Sequence, residues 1–231
     1  MLDFEPKVAR IETRLADYRQ RGLRVFATSS FQSNSVVLLH LISRLDASIP
    51  IYFLDTGYHF ADTLQFRDVL SERLGLQIRV LRSPVNRIQQ RDSAGRLLFA
   101  SDPDHCCHLN KILPLEPVLL SNDVWISGVR ASQSQQRAQL GEEARGRHGI
   151  LRYHPLLDWS ARDVHYYVEQ NELPRHPLES ENYLSIGCRP CTRVMDPDKL
   201  FDDRGGRWFG MNKTECGLHM DVETSSDGGA A

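Results

Sequence analysis

Five cysteines, placed as Cys106-Cys107, Cys188-Arg189-Pro190-Cys191 and a solitary Cys216, restrict how this chain can fold. Four thiolates are a complete ligand set for a metal ion or an iron–sulfur cluster. If both pairs serve one centre, the fold must bring residues 106–107 and 188–191 together. One sulfur is then left over, in Glu215-Cys216-Gly217-Leu218-His219, and it reads as a nucleophile. A lone CxxC serves zinc, a redox dithiol or a cluster. Adjacent cysteines can hardly both bind one tetrahedral ion without strain, whereas they more easily reach two different irons of a [4Fe–4S] cube. Both pairs have polar, glycine or proline neighbours, which argues against four buried structural thiols.

The odd, clustered cysteine count points to a cytoplasmic chain with metal binding and a reactive thiol. The opening Met1-Leu2-Asp3-Phe4-Glu5 has no basic-then-apolar signal pattern. No run of about 20 apolar residues is present, so no membrane helix is expected. A net charge of −2 over 231 residues gives no global attraction to nucleic acid or membrane.

Hydrophobic periodicity organises the rest. Phe4, Val8, Ile11, Leu15 and Tyr18 form one helical stripe, with Gly22 placed to end it. A strand over 24–27 runs into Thr28-Ser29-Ser30-Phe31-Gln32-Ser33-Asn34-Ser35 and then an apolar helix pattern over 36–45. Strand, small polar loop and helix start form the layout of an anion site, although the same serines suit a helix cap. Further strands are expected over 50–54, 77–81 and 124–128, with a helix over 60–74 stopped by Gly75. Residues 133–148 show no clear period and read as a solvated surface loop. Ser160-Ala161-Arg162-Asp163 starts a helix with a capping box.

Strands alternating with helices predict an α/β fold, a mostly parallel twisted sheet flanked by helices. Ligands in such sheets sit at the carboxyl ends of the strands. Ser29, Ser30, Asp55, Gly57 and Arg130 are therefore expected around one pocket. His59 and His105 are assigned structural roles. Residues 1–200 are expected to form a nucleotide- and cluster-binding domain. Residues 201–231 are expected to form a mobile redox tail carrying Cys216, hinged at Arg204-Gly205-Gly206-Arg207-Trp208 and disordered from Thr224 to Ala231.

The cysteine arrangement resembles the signature of the assimilatory adenylyl-sulfate (APS) reductases of the APS/PAPS reductase family. Leu54-Asp55-Thr56-Gly57-Tyr58-His59-Phe60, Gly128-Val129-Arg130-Ala131-Ser132-Gln133-Ser134, Ser185-Ile186-Gly187-Cys188, Gly206-Arg207-Trp208 and Glu215-Cys216-Gly217-Leu218-His219 resemble the same family. The match spans roughly residues 24 to 219. It implies an adenine nucleotide alpha hydrolase-like fold and reduction of APS to sulfite and AMP with electrons from thioredoxin. It implies a [4Fe–4S] cluster on Cys106, Cys107, Cys188 and Cys191, and it points to Lys111, Arg130, Arg204 and Arg207 for the anionic substrate; His219 is expected beside them as a further cation that offsets Glu215. Cys216 would attack the sulfate sulfur and form an S-sulfonate. With four cysteines committed, an outside thiol must release sulfite. A homo-oligomer is compatible with this reading.

Two stretches depart from the family pattern. Ser30-Phe31-Gln32-Ser33-Asn34-Ser35 lacks the usual glycine and acidic pair, and Asn110 stands where arginine often precedes the lysine. PAPS or dual-specificity reduction, a non-catalytic iron–sulfur sensor and a zinc-binding structural protein are the alternatives.

Overall fold

Short apolar runs alternating with amphipathic helices give one sheet in the computed structural model. Its strands are β1 (Val25–Thr28), β2 (Ile51–Asp55), β3 (Ile78–Arg82), β4 (Val124–Ser127), β5 (Glu143–Arg145) and β6 (Leu151–Tyr153). The structure describes residues 2–183, 185–194, 206–208, 210, 211, 213 and 215–219. The strand order is β3-β2-β1-β4-β6-β5. All neighbours pair in parallel except β5 with β6, which are antiparallel. The expected α/β fold with a mostly parallel, helix-flanked sheet is the one found.

Side-chain alternation along the central strands builds two apolar layers. Ala27, Ile51, Phe53, Val124 and Ile126 face a core shared with α1 (Glu5–Gln20), α2 (Ser35–Leu45), α3 (Ala61–Leu74) and α8 (Ala161–Gln170). Phe26, Tyr52, Leu54 and Trp125 face the opposite layer, where Leu115, Val118 and Leu119 of α6 (Leu113–Leu120) cover them. Each fully buried aromatic or aliphatic side chain contributes about 1.5–3 kcal/mol. The predicted helix ends hold: Gly75 takes a left-handed φ of 62° behind α3, and the Ser160–Asp163 capping box forms.

The segment 133–148 differs from the surface loop expected of it. It contains α7 (Gln135–Ala138) and the edge strand β5, which leads through a tight turn into β6. Strands of three residues are too short to display a period, so the alternation that reveals longer strands is missing here.

Two short helices, α4 (Leu98–Ser101) and α5 (Pro103–Cys107), precede a π-helical turn at His108–Ile112 that continues into α6. Asp102 caps α5 by accepting from the His105 N–H at 3.0 Å. Such π turns inside helices frequently sit at functional sites, and this one follows the cysteine pair and carries Lys111. Residues 195–205 and 220–231, including Arg204 and Gly205 of the expected hinge and the Thr224–Ala231 end, lie outside the described residues. No described helix is long and apolar enough to cross a membrane.

Candidate active site

The fold brings the two cysteine pairs to one place. Cys106, Cys107, Cys188 and Cys191 line a single small pocket together with Thr56, Tyr58 and Trp208. Cys106 and Cys107 come from the end of α5. Cys188 and Cys191 flank one helical turn that is tied to the loop after β2, with the Arg189 N–H donating to the Tyr58 carbonyl at 2.7 Å. The Thr56 hydroxyl lies 3.2 Å from the Cys188 sulfur, and the Asn110 amide nitrogen lies 3.6 Å from the Cys106 sulfur.

Burial, reinforced by charge on the other three sulfurs, pushes the Cys106 thiol up to about 12. Burial with charge on Cys188 and Cys107 pushes Cys191 up to about 11, and burial also raises Cys107. Clustered thiols that resist ionisation need a strongly cationic centre to become thiolates. The donor set therefore fits a thiolate-ligated cluster. Among the described residues, no three Cys, His, Asp or Glu side chains converge on one ion. A cube takes one thiolate at each iron corner and does not ask for such convergence.

Beside this pocket lies a cavity of about 350 Å³. It opens at the carboxyl ends of β1, β2 and β4, where Thr28, Leu54 and Ser127 line it. The strand order reverses around β1, between β2 and β4, and a ligand crevice forms at such a point. Lys111, Arg130, Arg137 and Arg207 line the cavity, and its described lining contains no Asp or Glu. Such a lining suits an anion.

Cys216 also faces the cavity. Lys111 Nζ donates to its sulfur at 3.5 Å. Burial works against the Cys216 thiolate, but the ammonium of Lys111, the Leu218 backbone N–H and Arg207 outweigh it and hold the thiol below its ordinary value. Burial likewise works against the Lys111 cation, and charge on Cys216, Cys107 and Cys188 overcomes it and raises the lysine. Glu215, next to Cys216, is bound by Arg137 through two hydrogen bonds of 2.9 Å. The Cys216 N–H donates to the same carboxylate at 2.7 Å.

Residues 24–194 match the phosphoadenosine phosphosulfate reductase domain. That match covers well over half of the sequence. The chain belongs to this reductase family. An adenosine 5′-phosphosulfate reductase of Chelativorans sp. (strain BNC1) is 38% identical over 91% of this chain and 84% of its own. A phosphoadenosine 5′-phosphosulfate reductase of Gloeobacter violaceus is 36% identical over 86% of this chain and 83% of its own. The crystal structure of a phosphoadenylyl-sulfate (PAPS) reductase from Candida auris, a phosphate complex, shares the fold with a TM-score of 0.63 and 21% identity, covering 82% of this chain and 97% of that one.

In this reductase Ser29, Ser30, Lys111, Arg130, Arg207 and Cys216 all line the cavity. Asp55 and Gly57 lie just outside its lining. Asp55 accepts from the Gly57 N–H at 3.0 Å and pairs with Arg82 at 2.9 Å, so it holds its own turn. Gly57 takes a φ of 69°, which that turn requires. His219 belongs to the helical turn Gly217–His219, and its side chain lies outside the described atoms. His59, assigned a structural role, both lines the cavity and lies 2.9 Å from the Leu54 carbonyl.

Sequence reasoning missed Arg137, Arg152 and Thr56. Arg137 reads as part of a solvated charge run, yet its guanidinium is buried on Glu215. Arg152 lies over the Trp125 ring at 4.0 Å and donates to the Leu218 carbonyl at 2.8 Å. Only a glutamate beside a thiolate signalled that a cation must come from elsewhere. Asn110, where the family often has arginine, is buried against Gln90 through two amide hydrogen bonds of 3.0 and 2.6 Å.

Proposed function

We propose that this chain reduces adenosine 5′-phosphosulfate to sulfite and AMP, with Cys216 as the nucleophile. The observation that carries the reading is the cation-lined, carboxylate-free cavity with Lys111 Nζ 3.5 Å from the Cys216 sulfur. The relative from Chelativorans bears the name of this activity.

The sulfate and phosphate oxygens of the substrate lie among Lys111, Arg130 and Arg207, which balance the charge that develops on transfer. Ser33 and Ser127 present buried hydroxyls that bond no protein group, and a bound nucleotide would satisfy them. The Cys216 thiolate attacks the sulfate sulfur, forming an S–S bond as the S–O bond to the phosphate breaks. AMP leaves with the bridging oxygen. An outside dithiol, for which thioredoxin is the partner, attacks the Cys216 sulfur and expels sulfite. Its second thiol resolves the mixed disulfide, so two electrons pass from the dithiol to the sulfonate.

Cys106, Cys107, Cys188 and Cys191 would hold a [4Fe–4S] cluster, whose role next to Lys111 would be electrostatic and structural rather than that of an electron relay. The redox-tail role is assigned to residues 201–231, and a substrate-binding role to His219 and Arg204. Five free cysteines suit a cytoplasmic setting, where thiols stay reduced.

Reduction of PAPS is the second reading, favoured by the Gloeobacter relative's name. The test is anaerobic purification, iron and sulfide analysis, and sulfite release from APS and from PAPS with thioredoxin. Iron near four per chain, as a cube on four cysteines requires, and faster turnover of APS support the reading. Absence of sulfite from either nucleotide, or retained turnover in Cys216→Ser, overturns it.

A further inference from the structure

A chain of hydrogen bonds runs from the loop after β4 to the Cys216 backbone. The Arg130 N–H donates to Gln133 Oε1 at 3.1 Å, and the same oxygen accepts from Arg137 Nη1. Arg137 Nε and Nη2 grip both oxygens of Glu215, each at 2.9 Å. Glu215 Oε1 then accepts from the Cys216 N–H at 2.7 Å. The pair is deep in the protein, with side-chain exposures of 10% for Arg137 and 2% for Glu215.

A buried carboxylate beside a thiolate disfavours the thiolate unless a cation offsets it. A guanidinium suits that task, because its planar fork matches both carboxylate oxygens and fixes their plane. With the plane fixed, one oxygen still points at the Cys216 amide. The segment following 214 is thereby held at the residue whose sulfur must face the cavity.

We propose that Arg137 is a positioning residue for Cys216, acting through Glu215: the fork fixes the carboxylate, and the carboxylate fixes the backbone that aims the sulfur. This rests on the reading of Cys216 as the nucleophile. Arg137 also offsets the Glu215 charge. Lys111 from the π turn, Arg207 from residues 206–208, Glu215 from the segment itself and Cys107 from α5 are the other charged or titratable groups acting on the thiol.

The test uses the full chain purified anaerobically. Alkylation of Cys216 by iodoacetamide is followed by mass spectrometry across pH, alongside kcat and KM for APS. Arg137→Gln is expected to raise the alkylation midpoint by about one pH unit, the size of a lost charge partner. It is expected to lower kcat at least tenfold, with a smaller change in KM. Adding Glu215→Gln to Arg137→Gln is expected to bring the midpoint back without restoring kcat. Arg137→Lys, which keeps charge but loses the fork, is expected to keep the midpoint and lose kcat.

A native midpoint and native kcat in Arg137→Gln overturn the proposal. If that variant does not fold, native kcat in both Arg137→Lys and Glu215→Gln overturns it equally. Loss of the nucleophile reading is told apart by Cys216→Ser: retained sulfite release there removes that reading, whereas an inert Cys216→Ser beside indifferent Arg137 variants removes only this proposal.

Discussion

Lys111 Nζ lies 3.5 Å from Cys216 Sγ, although 105 residues separate them in the chain. Lys111 follows the cysteine pair by one π turn, so the thiol pocket and the thiolate share a cation. An ammonium at that distance in a partly desolvated site favours the ionised sulfur far more than it would in water.

Replacing Lys111 should therefore weaken both the nucleophile and the anion site. Lys111→Met is expected to lower kcat/KM on the order of 100-fold, the effect of losing one fixed electrostatic donor. The sign of the thiol change is upward. The folded Cys216 value lies below the ordinary one, so its thiolate should persist as pH falls to that lower value, and Lys111→Met should remove this range. Iodoacetamide rates at Cys216 across pH check it, and an unchanged midpoint would show that Lys111 does not hold the thiolate.

Each of the four pocket cysteines should be needed for metal loading. The Cys106 and Cys191 thiols are pushed up by burial and by the neighbouring sulfurs, so only a strongly cationic centre would hold them as thiolates, and removing one would leave a corner of a four-iron cube without its ligand. Cys106→Ser and Cys191→Ser are expected to lose most iron and acid-labile sulfide and the associated visible absorbance. Zinc without iron in the native protein would sink the cluster assignment.

Gly187 is required by Arg207. A Cβ at Gly187 would collide with the guanidinium, which donates to the Ile186 carbonyl at 3.1 Å and lies over the Trp208 ring at 4.7 Å. The obstructing atoms end a flexible side chain, so Gly187→Ala should fold while displacing Arg207. The expected outcome is a rise in KM for APS of about tenfold with a melting temperature close to native, since one anion contact is worth roughly 1.5–3 kcal/mol at most. Unchanged KM would mean that Arg207 keeps its place.

His154 should make the protein acid-sensitive. Burial, with Arg152 adding repulsion, pushes its imidazole down to about 4 from the ordinary 6.5. Between those values the unfolded chain binds a proton that the folded chain refuses. Stability therefore falls as pH drops from 6.5 towards 4, by up to about 1.4 kcal/mol per pH unit. His154→Asn should flatten the acid limb of a urea-denaturation series by close to one proton. An identical slope in the variant would assign the acid sensitivity elsewhere.

Much of the fold was legible because its central strands and helices are long enough to show a period. Phe26, Ile51, Phe53 and Ile126 alternate or cluster as buried strands do, and Ile11, Leu15 and Tyr18 mark one helix face. Ser29, Ser30 and Arg130 follow from their place after strand ends. Asp55 follows the same rule yet closes its own turn, because a carboxylate at a strand end has two local partners in Gly57 and Arg82. The edge hairpin β5–β6 was not legible, since three residues carry no pattern.

The sequence alone determined which chemistry the chain carries. Two cysteine pairs and one spare sulfur are a matter of residue type, and residue type needs no fold to be read. Tertiary structure alone decided which cation serves which anion. Arg137 is 78 residues from Glu215 and Lys111 is 105 from Cys216, and nothing local links either pair. Coulomb attraction and hydrogen bonding act over a few ångströms of space. Only the packing of β4, the π turn and the segment at 215–219 brings those charges within that reach.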